Sequence, residues 1–389
     1  MQPRPSVILA LALSLSLLYF PKVALGATAS SPASSVFIGT YTGGKSRGIY
    51  VCRFESASGK LGQPALAAET RNPSFLAVHP SGRWLYAAGE VSDFEGQRAG
   101  AVTAFQVEEG TARLTLLNAK PSGGSGPCYL TLDQSGKCLL VANYNSGSLA
   151  AFPIQPDGRL GPQGASVQHH GSSVNHERQE GPHAHFITTD PANRFALACD
   201  LGLDKVFVYR LNPAEASLVP NQPPYALVKP GSGPRHLVFH PNGRYVYVIN
   251  EMGSSLAVFD YEAEQGVMKP VQTISTLPAD FQGQNTCAEV QIHPSGKFLY
   301  ASNRGQDTIA SFAINSHNGN LAYLRSVPSG GKTPRHFVFD PSGMWLLAEN
   351  QDSDNVVVFR VDNSTGRLSP TGEQVEVGAP VCAVFRPAR

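Results

Sequence analysis

The sequence predicts an all-β chain folded as a seven-bladed β-propeller of four-stranded antiparallel blades, and three observations predict it. First, one phrase recurs: Pro, a polar pair, an apolar stretch, then (His or Asp)-Pro-x-Gly-(Arg or Lys), then a second apolar run. Its openings at Pro73, Pro127, Pro182, Pro234, Cys287, Pro334 and Pro380 lie 46 to 55 residues apart, a period that marks propellers. Second, no stretch sustains a 3.6-residue hydrophobic period, so helix is scarce. Third, the two ends carry complementary pieces of one blade. Second-strand text (Val36-Phe37-Ile38-Gly39-Thr40) and third-strand text (Gly48-Ile49-Tyr50-Val51) come first, and first-strand text (Pro380 to Phe385) comes last. Joining them seals the ring and leaves no unpaired sheet edge.

Taken in chain order, residues 1–26 read as a secretory signal. Arg4 precedes an apolar-and-Ser run from Val7 to Phe20, followed by Pro21 and the small-residue end Ala24-Leu25-Gly26. The run is too short to span a bilayer comfortably, so the mature chain is expected to be exported, periplasmic or secreted, with no membrane attachment after cleavage. Residues 27–35 read as a flexible mature N-terminus and 36–389 as one propeller domain. Within each repeat the first strand follows the opening residue and the second follows the Pro-x-Gly turn. The third is an alternating run such as Ser255-Leu-Ala-Val-Phe259, and the fourth is short and ends in Gly/Pro loops such as Gly231-Ser232-Gly233.

Composition narrows the function. Of 389 residues 42% are hydrophobic and 15% charged, and the formal net charge is +1. This is a compact, turn-rich globular composition without the basic surplus that nucleic-acid binding needs. The six cysteines are too sparse for a disulfide scaffold. Cys138, Cys199 and Cys382 sit in strand-like apolar runs, as small core residues do, and no more than one bridge is expected.

The repeat also selects one face. In an antiparallel pair joined by a tight turn, the start of the first strand lies beside the end of the second. Residues just after each opening and just before each second-to-third-strand loop therefore crowd one mouth of the central channel. The starts supply Cys128, His183, His185, Arg235, His236, Glu289, Arg335 and His336. The ends supply Glu90, Asn143, Asp200, Asn250, Glu251, Asn303, Arg304, Glu349 and Asn350. Ionisable groups of both signs in one concave mouth point to an active site; the plainer alternative is a polar, water-filled channel end.

Several strings here resemble the lactonase family of seven-bladed propellers, which includes bacterial 6-phosphogluconolactonase-type enzymes and fungal carboxymuconate lactonizing enzymes. They are Gly181-Pro182-His183-Ala184-His185, Asp200-Leu201-Gly202-Leu203-Asp204-Lys205-Val206, Gly233-Pro234-Arg235-His236, Asn250-Glu251 and Ser302-Asn303-Arg304-Gly305. The resemblance implies a metal-independent lactonase of 6-phosphogluconolactonase type, with a His, a Glu and two Arg as the catalytic set. These match His183 or His185, Glu251, Arg235 and Arg304. The other mouth residues His236, Arg335, His336, Asp200, Asn250 and Glu349 are read as substrate-binding. No cofactor and no metal are expected. The expected partner is a small anionic or sugar-derived lactone, and the protein is expected to be a monomer. Histidine titrates in the range needed to activate water or return a proton, and the forked donors of arginine suit a carboxylate, phosphate or oxyanion. Glu251 could orient the histidine, or act as a base if confinement raises its pKa.

Competing readings are weaker. His183, His185 and Glu251 could ligate a metal, but Arg235 and Arg304 beside them disfavour a cation. Ser329-Gly330-Gly331-Lys332-Thr333 lacks the earlier glycine of a P-loop, and Pro334 opens a strand where a helix should start. His169, His170 and His176 fall in a polar stretch, Gln168 to Glu180, expected to be a solvated loop. His79, His240 and His293 belong to the turns of the far face and read as structural. Against lactone hydrolysis stand two alternatives: a cycloisomerase that closes a carboxylated muconate into a lactone, and a non-catalytic propeller that binds a ligand or protein.

Overall fold

The computed structural model describes residues 1–3 and 34–387. All but the first three residues of the secretory signal expected at 1–26, and nearly all of the expected N-terminal tail at 27–35, lie outside the described residues. The first strand, Ser34–Thr40, begins two residues ahead of the expected start at Val36. Strands form seven antiparallel sheets, and among the described residues the one helical element is a 3₁₀ turn at Gln351–Ser353. No described helix is long and apolar enough to cross a membrane.

Six of the seven sheets run outward from the channel in sequence order. In the blade with the plainest repeat, Pro234–Phe239 is innermost, followed by Tyr245–Asn250, Ser255–Glu262 and Val267–Ser275. The closing blade departs from four strands. Pro380–Phe385 pairs with Ser34–Thr40, which pairs with Gly48–Glu55, and two short strands, Lys60–Leu61 and Ala65–Glu69, share the outer edge. Ring closure by both termini in one sheet is therefore present as the sequence predicts.

The hairpins follow from turn chemistry. The fourth turn residue takes positive φ in all six Pro-x-Gly-type turns: Gly82, Gly136, Gly243, Gly296 and Gly343, and Asn193 (φ 57°) in the sixth. These are the residue types that visit the left-handed region cheaply. The first turn residue ties the loop down. Asp133 Oδ1 accepts from the amides of Lys137 and Cys138, and Asp190 Oδ1 from those of Arg194 and Phe195. The histidines at this position reach the neighbouring blade instead: His79, His240 and His293 bond the carbonyls of Gly136, Gly296 and Gly343.

Apolar cores sit between blades. Tyr245, Tyr247 and Ile249 of one blade pack with Leu299, Ala301 and Phe312 of the next, all at or near zero exposure. Where the chain ends meet, Val36, Ile38 and Cys52 pack against Trp345, Leu347 and Val356, so the last seam is as dry as the rest. All six cysteines are buried free thiols. Most alternate residues on both faces of the inner strands are buried, which is why these strands read as continuous apolar runs.

One irregularity positions the site. In every blade the register between first and second strands slips at the channel mouth, leaving an extra residue on the inner strand. A bulge of this kind re-aims the extra side chain. The bulged residues include Cys128, His185, Arg235 and Arg335.

Candidate active site

The bulges and the residues that follow the second strands meet at one mouth of the ring. Tyr41, Glu90, Tyr144 and Glu251 each come one residue after the second-strand position that pairs with the inner strand's opening residue, and Arg304 ends its own second strand. Together with Cys128, His185, Arg335 and Arg178 they line a cavity of about 290 Å³. Beneath it the channel is filled by rings. Phe75, Tyr129, Phe186, His236 and His336 pack in tilted and edge-on pairs at centroid distances of 4.0 to 6.2 Å, closing the cavity floor.

Glu251 is the electrostatic centre. Its Oε1 accepts from Arg178 Nη2 at 2.9 Å, and its Oε2 contacts Arg235 Nε at 3.1 Å and Arg304 Nη2 at 3.0 Å. Burial alone would raise its pKa, but Arg304 and Arg235, with His185 and Arg178, hold the carboxyl well below the usual carboxylate range. The possibility that confinement raises its pKa is overturned: three guanidinium groups outweigh desolvation. Nor does any hydrogen bond join Glu251 to a histidine; both its oxygens are taken by arginines.

His185 faces the same cavity. It is buried, and its Nδ1 has no hydrogen-bond partner. Burial, then Arg235, pushes its imidazole well below the ordinary histidine value, so it is neutral at neutral pH. His183 is elsewhere. Its ring stacks on Tyr144 at 4.5 Å, Nδ1 lies 3.1 Å from the Tyr144 carbonyl, and Nε2 lies 3.4 Å from Glu180. The bulge at His185 separates the two histidines. Cys128 offers no nucleophile, because burial pushes its thiol far up.

On the opposite wall Arg335 Nη2 donates to the Tyr41 hydroxyl at 2.8 Å, which donates to Glu90 Oε2 at 2.9 Å. Burial keeps the Tyr41 proton on, raising its pKa far above the phenol range. Arg304 keeps a buried Nε without a partner. Three guanidinium groups (Arg178, Arg304, Arg335) line the cavity with two carboxylates (Glu90, Glu251), and Arg235 lies against Glu251 from behind, leaving the mouth net positive.

Arg235, expected to clamp substrate, does not line the cavity. It is 2% exposed, and its donors go to Glu251, the Ala288 carbonyl at 2.6 Å and His236 Nε2 at 3.2 Å. Burial, then Arg335 and Arg304, lowers its pKa to about 10, and it remains a cation at neutral pH. His236 and His336 lie in the floor with two buried carboxyls: His236 Nδ1 is 2.9 Å from Glu289, and His336 Nδ1 is 2.8 Å from Glu349. Burial raises Glu289 to about 8, and burial with Glu289 raises Glu349 well above the carboxylate range.

Asp200 and Asn250 are packed behind the mouth. Asp200 Oδ1 accepts the His183 amide at 2.8 Å and its Oδ2 contacts His169 Nδ1 at 2.6 Å, so it shapes the segment carrying His185. Asn250 Nδ2 donates to Ser255. His169 corrects the loop reading: it is 3% exposed, held between Asp200 and the Tyr209 hydroxyl, while His170 and His176 are exposed as expected. Tyr41, Tyr144 and Arg178 were not singled out by sequence. The first two share the register position of Glu251 and were findable from it; Arg178 comes from a loop between blades and gave no repeat signal. Among the described residues no group of three His, Cys, Asp or Glu is arranged to hold a metal ion.

A model of the family described as lactonase, 7-bladed beta-propeller, matches residues 35–385. The chain belongs to this lactonase family. Among its relatives, a Bacillus subtilis protein named 6-phosphogluconolactonase is 36% identical over 349 residues, covering 90% of this chain and 97% of that one. A second protein of that name, from Formosa agariphila, is 35% identical over 309 residues, 78% of this chain and 86% of its own. The solved structure of the periplasmic gluconolactonase of Pseudomonas aeruginosa is 35% identical, with a TM-score of 0.86, over 92% of this chain and 100% of the other. The propeller fold is thus shared with the P. aeruginosa protein over 92% of this chain.

Proposed function

We propose that the chain is a lactone hydrolase that opens a sugar-derived lactone at this mouth without a metal, with His185 as the base. The observation that carries the reading is a neutral imidazole, that of His185, bordering a cavity with a surplus of guanidinium groups. The His185 imidazole takes a proton from water as the water oxygen bonds to the lactone carbonyl carbon. The carbonyl electrons move onto oxygen, where the guanidinium of Arg304, which lines the cavity, meets the developing charge. When the tetrahedral carbon collapses, the ring C–O bond breaks and the alkoxide takes the proton back from the His185 imidazolium. Water and lactone become one hydroxy acid, and the residues end as they began.

Glu251 in this scheme stays ionised throughout. It fixes Arg304 and Arg178 at the cavity and Arg235 beneath it, so the donors need no rearrangement during the reaction. Arg335 faces the far side of the substrate. The names of the B. subtilis and P. aeruginosa relatives support a gluconolactone-type substrate, and the leader read at 1–26 together with the periplasmic relative supports action outside the cytoplasm.

The test is hydrolysis of glucono-1,5-lactone and its 6-phosphate by the wild type and His185→Gln, corrected for spontaneous opening. The wild type should turn over at least one of them, and the variant should lose roughly 10²–10⁴-fold in kcat. Wild-type rates at background for both lactones would defeat the proposal.

A further inference from the structure

We propose that Arg178 is a specificity-determining residue that grips an anionic substituent, a carboxylate or phosphate, on the substrate at the cavity rim. The inference rests on the lactone-hydrolase reading of the cavity and adds the residue that chooses among lactones. Three observations carry it.

Arg178 holds its place with one nitrogen only. Nη2 reaches both Glu251 Oε1 at 2.9 Å and the Tyr144 hydroxyl at 3.3 Å. Among the described residues its Nε and Nη1 have no hydrogen-bond partner. The side chain is 42% exposed, against 2% for Arg235 and 15% for Arg304, so these donors stand where the cavity opens. A guanidinium anchored at one corner presents the rest of its fork in a fixed direction, which suits bidentate recognition of an oxyanion.

The loop that carries it is built to do so. Gln179, fully buried beside it, donates Nε2 to the Leu201 carbonyl at 2.9 Å and accepts the Asn175 amide at 3.1 Å. Ser173 Oγ donates to Asp204 at 2.5 Å, and Asp204 also accepts the amides of Gly231 and Gly233. Two blades thus clamp the loop, and Arg178 is aimed by buried partners.

Charge completes the argument. Glu251 already has Arg304 and Arg235 against one oxygen, so a third guanidinium exceeds what one carboxylate neutralises. Arg178 is also the one cavity-lining arginine outside the blade repeat, on the segment between Ser166–Gln168 and Ala184–Thr189.

The experiment compares wild type, Arg178→Gln and Arg178→Lys on glucono-1,5-lactone and on its 6-phosphate, with calorimetric binding of gluconate and 6-phosphogluconate alongside. For Arg178→Gln the KM for the phosphorylated lactone and the Kd for 6-phosphogluconate should rise roughly tenfold or more, the scale of one charge-assisted bond pair. Any loss of kcat/KM on the neutral lactone should be roughly fivefold or more smaller than on the phosphorylated one, with Arg178→Lys between wild type and Arg178→Gln. An equal loss on both lactones, which is what a role confined to holding Glu251 would give, or no loss on either, overturns the proposal. If the wild type opens neither lactone, the hydrolase reading fails and calorimetry decides: 6-phosphogluconate binding that weakens in Arg178→Gln sustains the anion grip, and its absence or invariance ends it.

Discussion

His185 owes its chemistry to its neighbours. In water an imidazole is half protonated near pH 6.5, but here burial and the cation of Arg235, with Arg335 adding to it, favour the neutral form. A base must be neutral to act, so activity is lost only as pH falls through this depressed value. The acid limb of kcat/KM should therefore lie below about 6.5 and the profile should be flat from there through neutrality. In Arg335→Gln, one lowering charge is gone and the limb should move up, whatever the change in absolute rate. Initial rates between about pH 4 and 8, corrected for spontaneous opening, check this; an unmoved limb would mean that another group titrates. That a histidine stands at this mouth was legible from Pro182-His183-Ala184-His185. Which of the two faces the cavity was not, because a bulge moves a side chain from one face of a strand to the other and nothing in those four letters announces it.

At the scale of the element, the Pro-x-Gly hairpin sets the pitch of the blades. Gly243 and Gly136 both sit at positive φ, 71° and 68°, so alanine is strained at either. Their surroundings differ: a Cβ on Gly243 would meet only Pro191 at 3.9 Å, whereas one on Gly136 would lie 2.4 Å from His79 Nε2. That nitrogen bonds the Gly136 carbonyl and joins two blades. Gly243→Ala should cost about 1 kcal/mol, from backbone strain alone. Gly136→Ala should cost clearly more, since the His79 ring must leave its seat. Urea midpoints of the two variants test the order; equal midpoints would remove the inter-blade role of His79. These turns were legible from sequence, for glycine and asparagine advertise their conformation locally. The path of the Gln168–Glu180 loop was not. His169 is drawn inward by Asp200 and Tyr209, and Arg178 by Glu251, and these partners lie 31 to 73 residues further along.

For the whole molecule, closure and the buried floor are the decisive features. Deleting residues 380–389 removes the inner strand of the closing blade and exposes the edge of Ser34–Thr40. Such a chain should lose its monodisperse profile in size-exclusion chromatography and self-associate; a stable, soluble truncation would show that closure is dispensable. The floor makes a separate prediction. Glu289 is raised by burial from 4.5 to about 8. Its contribution to stability is therefore fully present below the unfolded value and is lost as pH rises from about 4.5 through about 8. Glu289→Gln keeps an oxygen for His236 but cannot ionise, so its melting temperature should gain on the wild type across that window. Parallel curves would place the raised pKa in doubt.

Much of this protein was decided by its text alone. A period near fifty, turn residues at each hairpin and half-blades at the two ends are local or additive signals, and they suffice for seven blades, a closed ring and a mouth rich in His, Glu and Arg. The tertiary structure alone decided how those groups divide the labour. It turned His185 rather than His183 to the cavity, sank Arg235 beneath Glu251, and brought Arg178 in from a loop. The physical reason is that periodicity reports which strand end a residue occupies. Facing, burial and protonation depend on desolvation and on charges delivered by other blades, and no window of adjacent residues contains those.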